Sequence, residues 1–85
     1  MIDIKPNTAL SAQIVCTQTR STLERVWVEY SLNNGHKLLV TGPINGLRGY
    51  TVNIFGKDNK CIRLALRVGP TQLLSYLEFA AEDTK

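Results

Sequence analysis

The side chains that carry most enzyme and metal chemistry are few in this chain and far apart. His36 is its single histidine, and Cys16 and Cys61 are its two cysteines. A metal site needs His, Cys or carboxylate ligands at close spacing, and a nucleophilic pair needs a base oriented against its thiol. His36 stands beside Asn34, Gly35 and Lys37 in a predicted tight turn, and reads as a solvated turn residue. Cys16 and Cys61 each lie in an alternating apolar stretch and read as reduced, buried structural thiols, with their pairing left open. The acidic residues Asp3, Glu24, Glu29, Asp58, Glu78, Glu82 and Asp83 are dispersed, so a convergent acid–base pair is not expected. No Gly-x-x-x-x-Gly-Lys loop offers a phosphate cradle. These residues predict a protein that is not an enzyme, takes no cofactor, metal or small-molecule substrate, and acts by binding.

Two groups of residues suit binding. Arg63 and Arg67 lie on one predicted strand, Lys60 just before it, Lys57 in the adjoining turn and Arg48 in a preceding loop. Together they would make a basic face for RNA phosphates; the plainer reading is an ordinary solvated strand face. Ile44 and Leu47 in the loop, with Val68 at a strand end, would make an exposed apolar patch for a protein partner, or else cap a thin core. Trp27 and Tyr30 fall on opposite faces of one predicted strand, so one belongs in the core and the other is placed to stack on a partner.

Length and composition set the frame that must hold these residues. The 85 residues suffice for one domain, with 44% apolar and 20% charged side chains and a net charge of +3. That mildly basic balance fits a nucleic-acid or ribonucleoprotein partner without requiring one. Apolar runs stop at three residues, as in Leu38-Leu39-Val40, so no membrane-spanning helix is expected. Met1–Thr8 lacks the apolar stretch of a secretory leader, which predicts a cytoplasmic location.

The chain reads mainly as short strands. Residues 1–9 form a lead-in in which Thr8 could cap a helix, and residues 12–18 a strand, then a turn at Arg20–Thr22. Val26, Val28, Tyr30 and Leu32 alternate with Trp27, Glu29 and Ser31, the period of a half-buried strand. Asn33-Asn34-Gly35 turns the chain into His36–Thr41, and the loop Gly42–Gly46 follows. Gly49–Phe55 alternates again, with Gly56–Lys60 as a polar turn. In Cys61–Val68, Ile62, Leu64, Leu66 and Val68 face one way and Arg63, Ala65 and Arg67 the other. Gly69-Pro70 breaks this strand, Gln72–Leu77 forms a last short strand, and a tail follows. The prediction is an all-β, small SH3-like antiparallel barrel of five to six strands. Residues 1–25 form an N-terminal extension with an extra strand or helix, 26–80 the barrel and 81–85 an acidic tail.

Residues 37–55, KLLVTGPINGLRGYTVNIF, place Gly-Pro, an apolar residue and two further glycines directly after a strand. This resembles the KOW motif of NusG- and RfaH-type transcription elongation factors, over roughly residues 36–79. The resemblance implies a recruitment module in elongation or antitermination that tethers a protein of the transcription or translation machinery through Ile44, Leu47 and Val68. Pro70 stands where many relatives carry a basic residue, so a contact through that residue is not expected. Val52–Pro70 is also similar to the central part of CsrA-type RNA-binding regulators, which implies direct RNA binding through Arg48, Lys57, Lys60, Arg63 and Arg67. A third reading is a small phage- or plasmid-type inhibitor or adaptor of a host protein.

Overall fold

The computed structural model describes residues 4–44 and 49–82. Leu47 and Arg48, two of the predicted binding residues, lie outside them. The elements are α1 (Thr8–Ser11), β1 (Ile14–Ser21), β2 (Arg25–Leu32), β3 (Lys37–Pro43), β4 (Tyr50–Phe55), β5 (Cys61–Val68), a 3-10 turn (Pro70–Gln72) and α2 (Leu73–Ala81). The five strands form one antiparallel sheet in the order β1-β2-β3-β4-β5. The mainly β, antiparallel fold expected from the alternation is therefore present, and it is consistent with a small SH3-like β fold. Among the described residues the sheet is unclosed, with β1 and β5 as its edges.

Tight turns hold consecutive strands together. In the β2–β3 hairpin, Gly35 takes φ +90°, and its N–H donates to the Leu32 carbonyl at 3.0 Å. In the β4–β5 turn, Asn59 takes φ 68° and the Gly56 N–H donates to the Lys60 carbonyl at 2.9 Å. Gly42 and Pro43, predicted to be loop, extend β3 instead and pair with Val26 and Arg25 of β2. Gly42 needs its missing side chain, because a Cβ there would stand 2.5 Å from Cδ1 of Tyr50.

The segment predicted as a last strand, 72–77, is helical. Leu73, Leu77 and Ala80 recur at spacings of four and three and are all fully buried, the stripe of an amphipathic helix. Pro70 opens the preceding turn with its fixed φ, and the Gly69 N–H donates to Oε1 of Gln72 at 3.1 Å. The strand that would have closed a barrel thus becomes a lid on one face of the sheet. The core on that face is built from Val26, Val28, Tyr30 and Leu32 of β2, Leu38 and Val40 of β3, and Tyr50, Val52 and Ile54 of β4, together with Leu73, Leu77 and Ala80 of α2. Near the start of the chain, Asn7 rather than Thr8 caps α1, its Oδ1 accepting the Leu10 N–H at 2.8 Å, and Leu10 joins the core.

His36 is not the solvated turn residue that its neighbours suggest. It is only 8% exposed, and its Nδ1 lies 3.1 Å from the carbonyl oxygen of Ala80 in the last turn of α2. The hairpin folds under the helix end, which removes His36 from water and gives its ring a backbone partner.

Candidate functional site

β5 decides where the apolar surface lies: Ile62, Leu64 and Leu66, expected to share a face with Val68, are exposed while Val68 is buried. Ile54 of β4 points into the core, and its partner on β5 is Arg63; Val52 likewise pairs with Ala65. Arg63 and Ala65 therefore share the helix-covered side, and Leu64, opposite Asn53, points to the other face. Two bulges set these facings. One extra residue lies between the Ile54–Arg63 and Phe55–Cys61 pairs, and another between the Val52–Ala65 and Tyr50–Val68 pairs. Arg67, in the second bulge, takes φ 57° and lets Val68 turn back into the core. In consequence Ile62, Leu64 and Leu66 are 52%, 58% and 66% exposed, and Val68 is 2% exposed.

The face of the sheet away from α2 carries an apolar band. Trp27 on β2 is a diagonal neighbour of Leu39 on β3, Leu39 of Phe55 on β4, and Phe55 of Leu64 on β5. Diagonal neighbours on a sheet face are about 7–8 Å apart, within reach of large side chains. Trp27, Leu39 and Phe55 are each half-buried. At one end the band borders a concavity of about 410 Å³ lined by Gln18, Arg20, Trp27, Glu29 and Leu39. Trp27 is thus the outward aromatic of its strand, and Tyr30 the core one.

Of the predicted apolar patch, Ile44 and Val68 fall within the described residues, and only Ile44 is at the surface. Val68 packs in the core, which is the alternative role considered for it, because the bulge restores its inward facing. Ile44 is exposed just beyond β3, its N–H donating to the Glu24 carbonyl at 2.8 Å, beside a concavity lined by Thr17, Thr19, Ser21, Val26, Val28 and Tyr30.

The four members of the predicted basic face that fall among the described residues are divided. Lys57 and Lys60 are exposed in the β4–β5 turn, where Lys60 Nζ lies 4.0 Å from Oδ2 of Asp58. Arg63 reaches over α2, with its guanidinium carbon 5.9 Å from the ring centre of Tyr76 and 5.2 Å from that of Phe79. Arg67 is exposed towards the opposite end of β5, on the order of 20 Å from Lys60 at strand spacing.

No protein-family model, curated protein or solved structure is detectably similar to this chain.

Both cysteines are free and exposed, not buried. They sit on the two edge strands, where one face lacks cover: Cys16 opposite Ser31, and Cys61 with its Sγ 3.4 Å from the Arg63 carbonyl. Among the described residues no three His, Cys, Asp or Glu side chains gather in a way that could hold a metal ion, and no helix is long and apolar enough to cross a membrane.

Leu39, Phe55 and Leu64 were not singled out by sequence reasoning. A signal existed for Leu39: in Leu38-Leu39-Val40 the alternation of β3 lapses, so an apolar side chain must face outward. Phe55 likewise stands at the polar parity of its strand.

Proposed function

We propose that this protein is a non-enzymatic binding module that docks a protein partner on the open face of its sheet. The observation that supports this is the band Trp27–Leu39–Phe55–Leu64, extended by the exposed Leu66, on a face that no helix among the described residues covers. A tryptophan beside a concavity, ringed by polar Gln18, Glu29 and Asn53, has the composition of an interface anchor. Recruitment within transcription elongation or antitermination is the specific form that the KOW-like segment 37–55 suggests. The working surface would then be the sheet face rather than the set Ile44, Leu47 and Val68. Such a module acts by raising the local concentration of what it tethers, and needs no chemistry of its own.

A second reading, RNA binding, draws on Arg63 lying over Tyr76 and Phe79, since arginine–aromatic clusters also accept stacked bases. One experiment separates the two. Immobilised wild type, Leu39→Asp/Leu64→Asp and Lys60→Ala/Arg63→Ala proteins are each offered nuclease-treated cell extract and, separately, a labelled single-stranded RNA pool. Protein docking predicts a retained protein that is lost only with the leucine variant. RNA retention lost only with the basic variant, with no protein retained, overturns the docking reading.

A further inference from the structure

We propose that the β1 edge pairs with the β1 edge of a second copy of this chain, antiparallel about a two-fold axis at Thr19, so that two sheets join into one. The two edges of the sheet differ in how they meet solvent. β5 is blunted by two bulges, by Arg67 with its positive φ, and by the flanking charges of Lys60 and Arg63. These are the devices that stop an edge from recruiting another strand. β1 has one irregularity, at Val15, and then runs regularly from Cys16 to Ser21 with Arg20 as its single charge and no proline. Every residue from Val15 to Ser21 is exposed.

The ladder shows which backbone groups are on offer. The Thr22 N–H donates to the Arg25 carbonyl at 2.8 Å and closes the β1–β2 hairpin. Ladder bonds of an antiparallel pair alternate, so from that point Arg20–Trp27, Gln18–Glu29 and Cys16–Ser31 are the bonded pairs. The N–H and C=O groups of Thr17, Thr19 and Ser21 then point away from the sheet. An antiparallel second β1 engages all three in one register only: Thr19 opposite the partner's Thr19, and Thr17 opposite the partner's Ser21. A shift towards the start of the strand would bring in Val15, where the bulge breaks the ladder.

The side chains in this register complement one another. On the helix side, Thr19 meets the partner's Thr19 and Thr17 meets the partner's Ser21, pairs that hydrogen-bond across strands. On the open side, Arg20 falls beside the partner's Gln18, and the next residue along that row is the partner's Glu29. The two-fold axis repeats this, so each cation on the edge faces a carboxylate of the other copy. No like charges meet at the seam. The occupant that fits is therefore a second copy of this chain rather than an acidic or basic partner.

Analytical ultracentrifugation across the micromolar to submillimolar range tests this directly. The wild type is expected to reach twice the chain mass as concentration rises, with association weakened by salt. Thr19→Pro removes an outward N–H that the β1–β2 ladder does not use, and is expected to abolish the dimer while leaving the far-ultraviolet dichroism of the monomer unchanged. A register test stands even if that variant fails to fold. In a Cys16→Ser/Cys61→Ser background, a mixture of Gln18→Cys and Arg20→Cys chains is expected to crosslink on oxidation, whereas neither crosslinks alone. These positions form a non-hydrogen-bonded pair with Cα atoms about 4.5 Å apart, a separation a disulfide spans. A wild-type monomer at every concentration, a dimer that survives Thr19→Pro, or Gln18→Cys chains that crosslink with themselves would overturn the proposal.

Discussion

Asn34 Nδ2 donates to the carbonyl oxygen of Ala80 at 2.9 Å, across 46 residues of chain. The same amide reaches the Ala81 carbonyl at 3.4 Å, and its Oδ1 accepts the His36 N–H at 2.9 Å. A residue that looks like turn punctuation thus also satisfies the end of α2, whose last carbonyls have no partner within the helix. The β2–β3 hairpin and the helix are coupled through one side chain, with His36 beside it on Ala80.

Asn34→Ala removes these bonds and leaves the carbonyls at the helix end short of a donor. The expected loss is about 1–3 kcal/mol, read as a lower urea midpoint at an unchanged slope. Asn34→Asp keeps the acceptor for the His36 N–H but loses both donors and puts a negative charge at the negative end of the helix dipole. At neutral pH it should be the less stable of the two variants.

Gly42→Ala tests the close approach of β3 to Tyr50. The new Cβ would stand 2.5 Å from Cδ1 of the ring, 3.2 Å from the Gly49 carbonyl oxygen and 3.3 Å from the Tyr50 Cα. The ring is held in a filled core, so the strain is expected to cost about 1–3 kcal/mol in chemical denaturation. In combination with Tyr50→Ala the two losses should fall short of their sum, because the smaller residue frees the space that the alanine needs.

Most strands and turns were legible because their signals are local, although the turn expected at Arg20–Thr22 falls at Thr22–Arg25, with Arg20 and Ser21 still in β1. Period-two alternation marks β2 and β4, and Asn33-Asn34-Gly35 marks the β2–β3 hairpin from the backbone angles it needs. What was misread depends on tertiary context. In β5 the alternation is present, but two bulges displace it, and a one-residue shift sends every side chain to the opposite face. The Leu73–Leu77 stretch is too short for apolar composition alone to separate strand from helix. The spacing Leu73, Leu77, Ala80 carried the answer once the segment was read through to Ala81. His36 and the cysteines were misplaced for a related reason, since burial of a turn or an edge residue is set by what packs over it. The candidate site was the least legible part: the sequence marked Trp27, while its companions Leu39, Phe55 and Leu64 become neighbours only through the strand register.

The positions of Cys16 and Cys61 predict ready thiol chemistry in the folded state. Both are exposed, on opposite edge strands, and free. Their separation across five strands is on the order of 19 Å, far beyond the reach of a disulfide within one chain. Titration with a chromogenic disulfide reagent should count both thiols without denaturant, at rates near that of a small-molecule thiol. A thiol that reacts only after unfolding would show that its edge strand is covered.

Leu64 and Leu77 offer the sharpest contrast between surface and core. Both are leucines in regular elements, yet Leu64 is exposed on the open face and Leu77 is fully buried on the inner face of α2. Leu77→Ala removes core atoms and leaves a cavity, so a loss of about 2–5 kcal/mol is expected in urea denaturation. Leu64→Ser exposes nothing new, and its effect should stay within about 0.5 kcal/mol. If the open face docks a partner, Leu64→Ser weakens capture while leaving stability unchanged. Leu77→Ala, assayed where it remains folded, leaves capture intact. Stability and binding would then separate by face of the sheet, which no account of Leu64 as a structural residue allows.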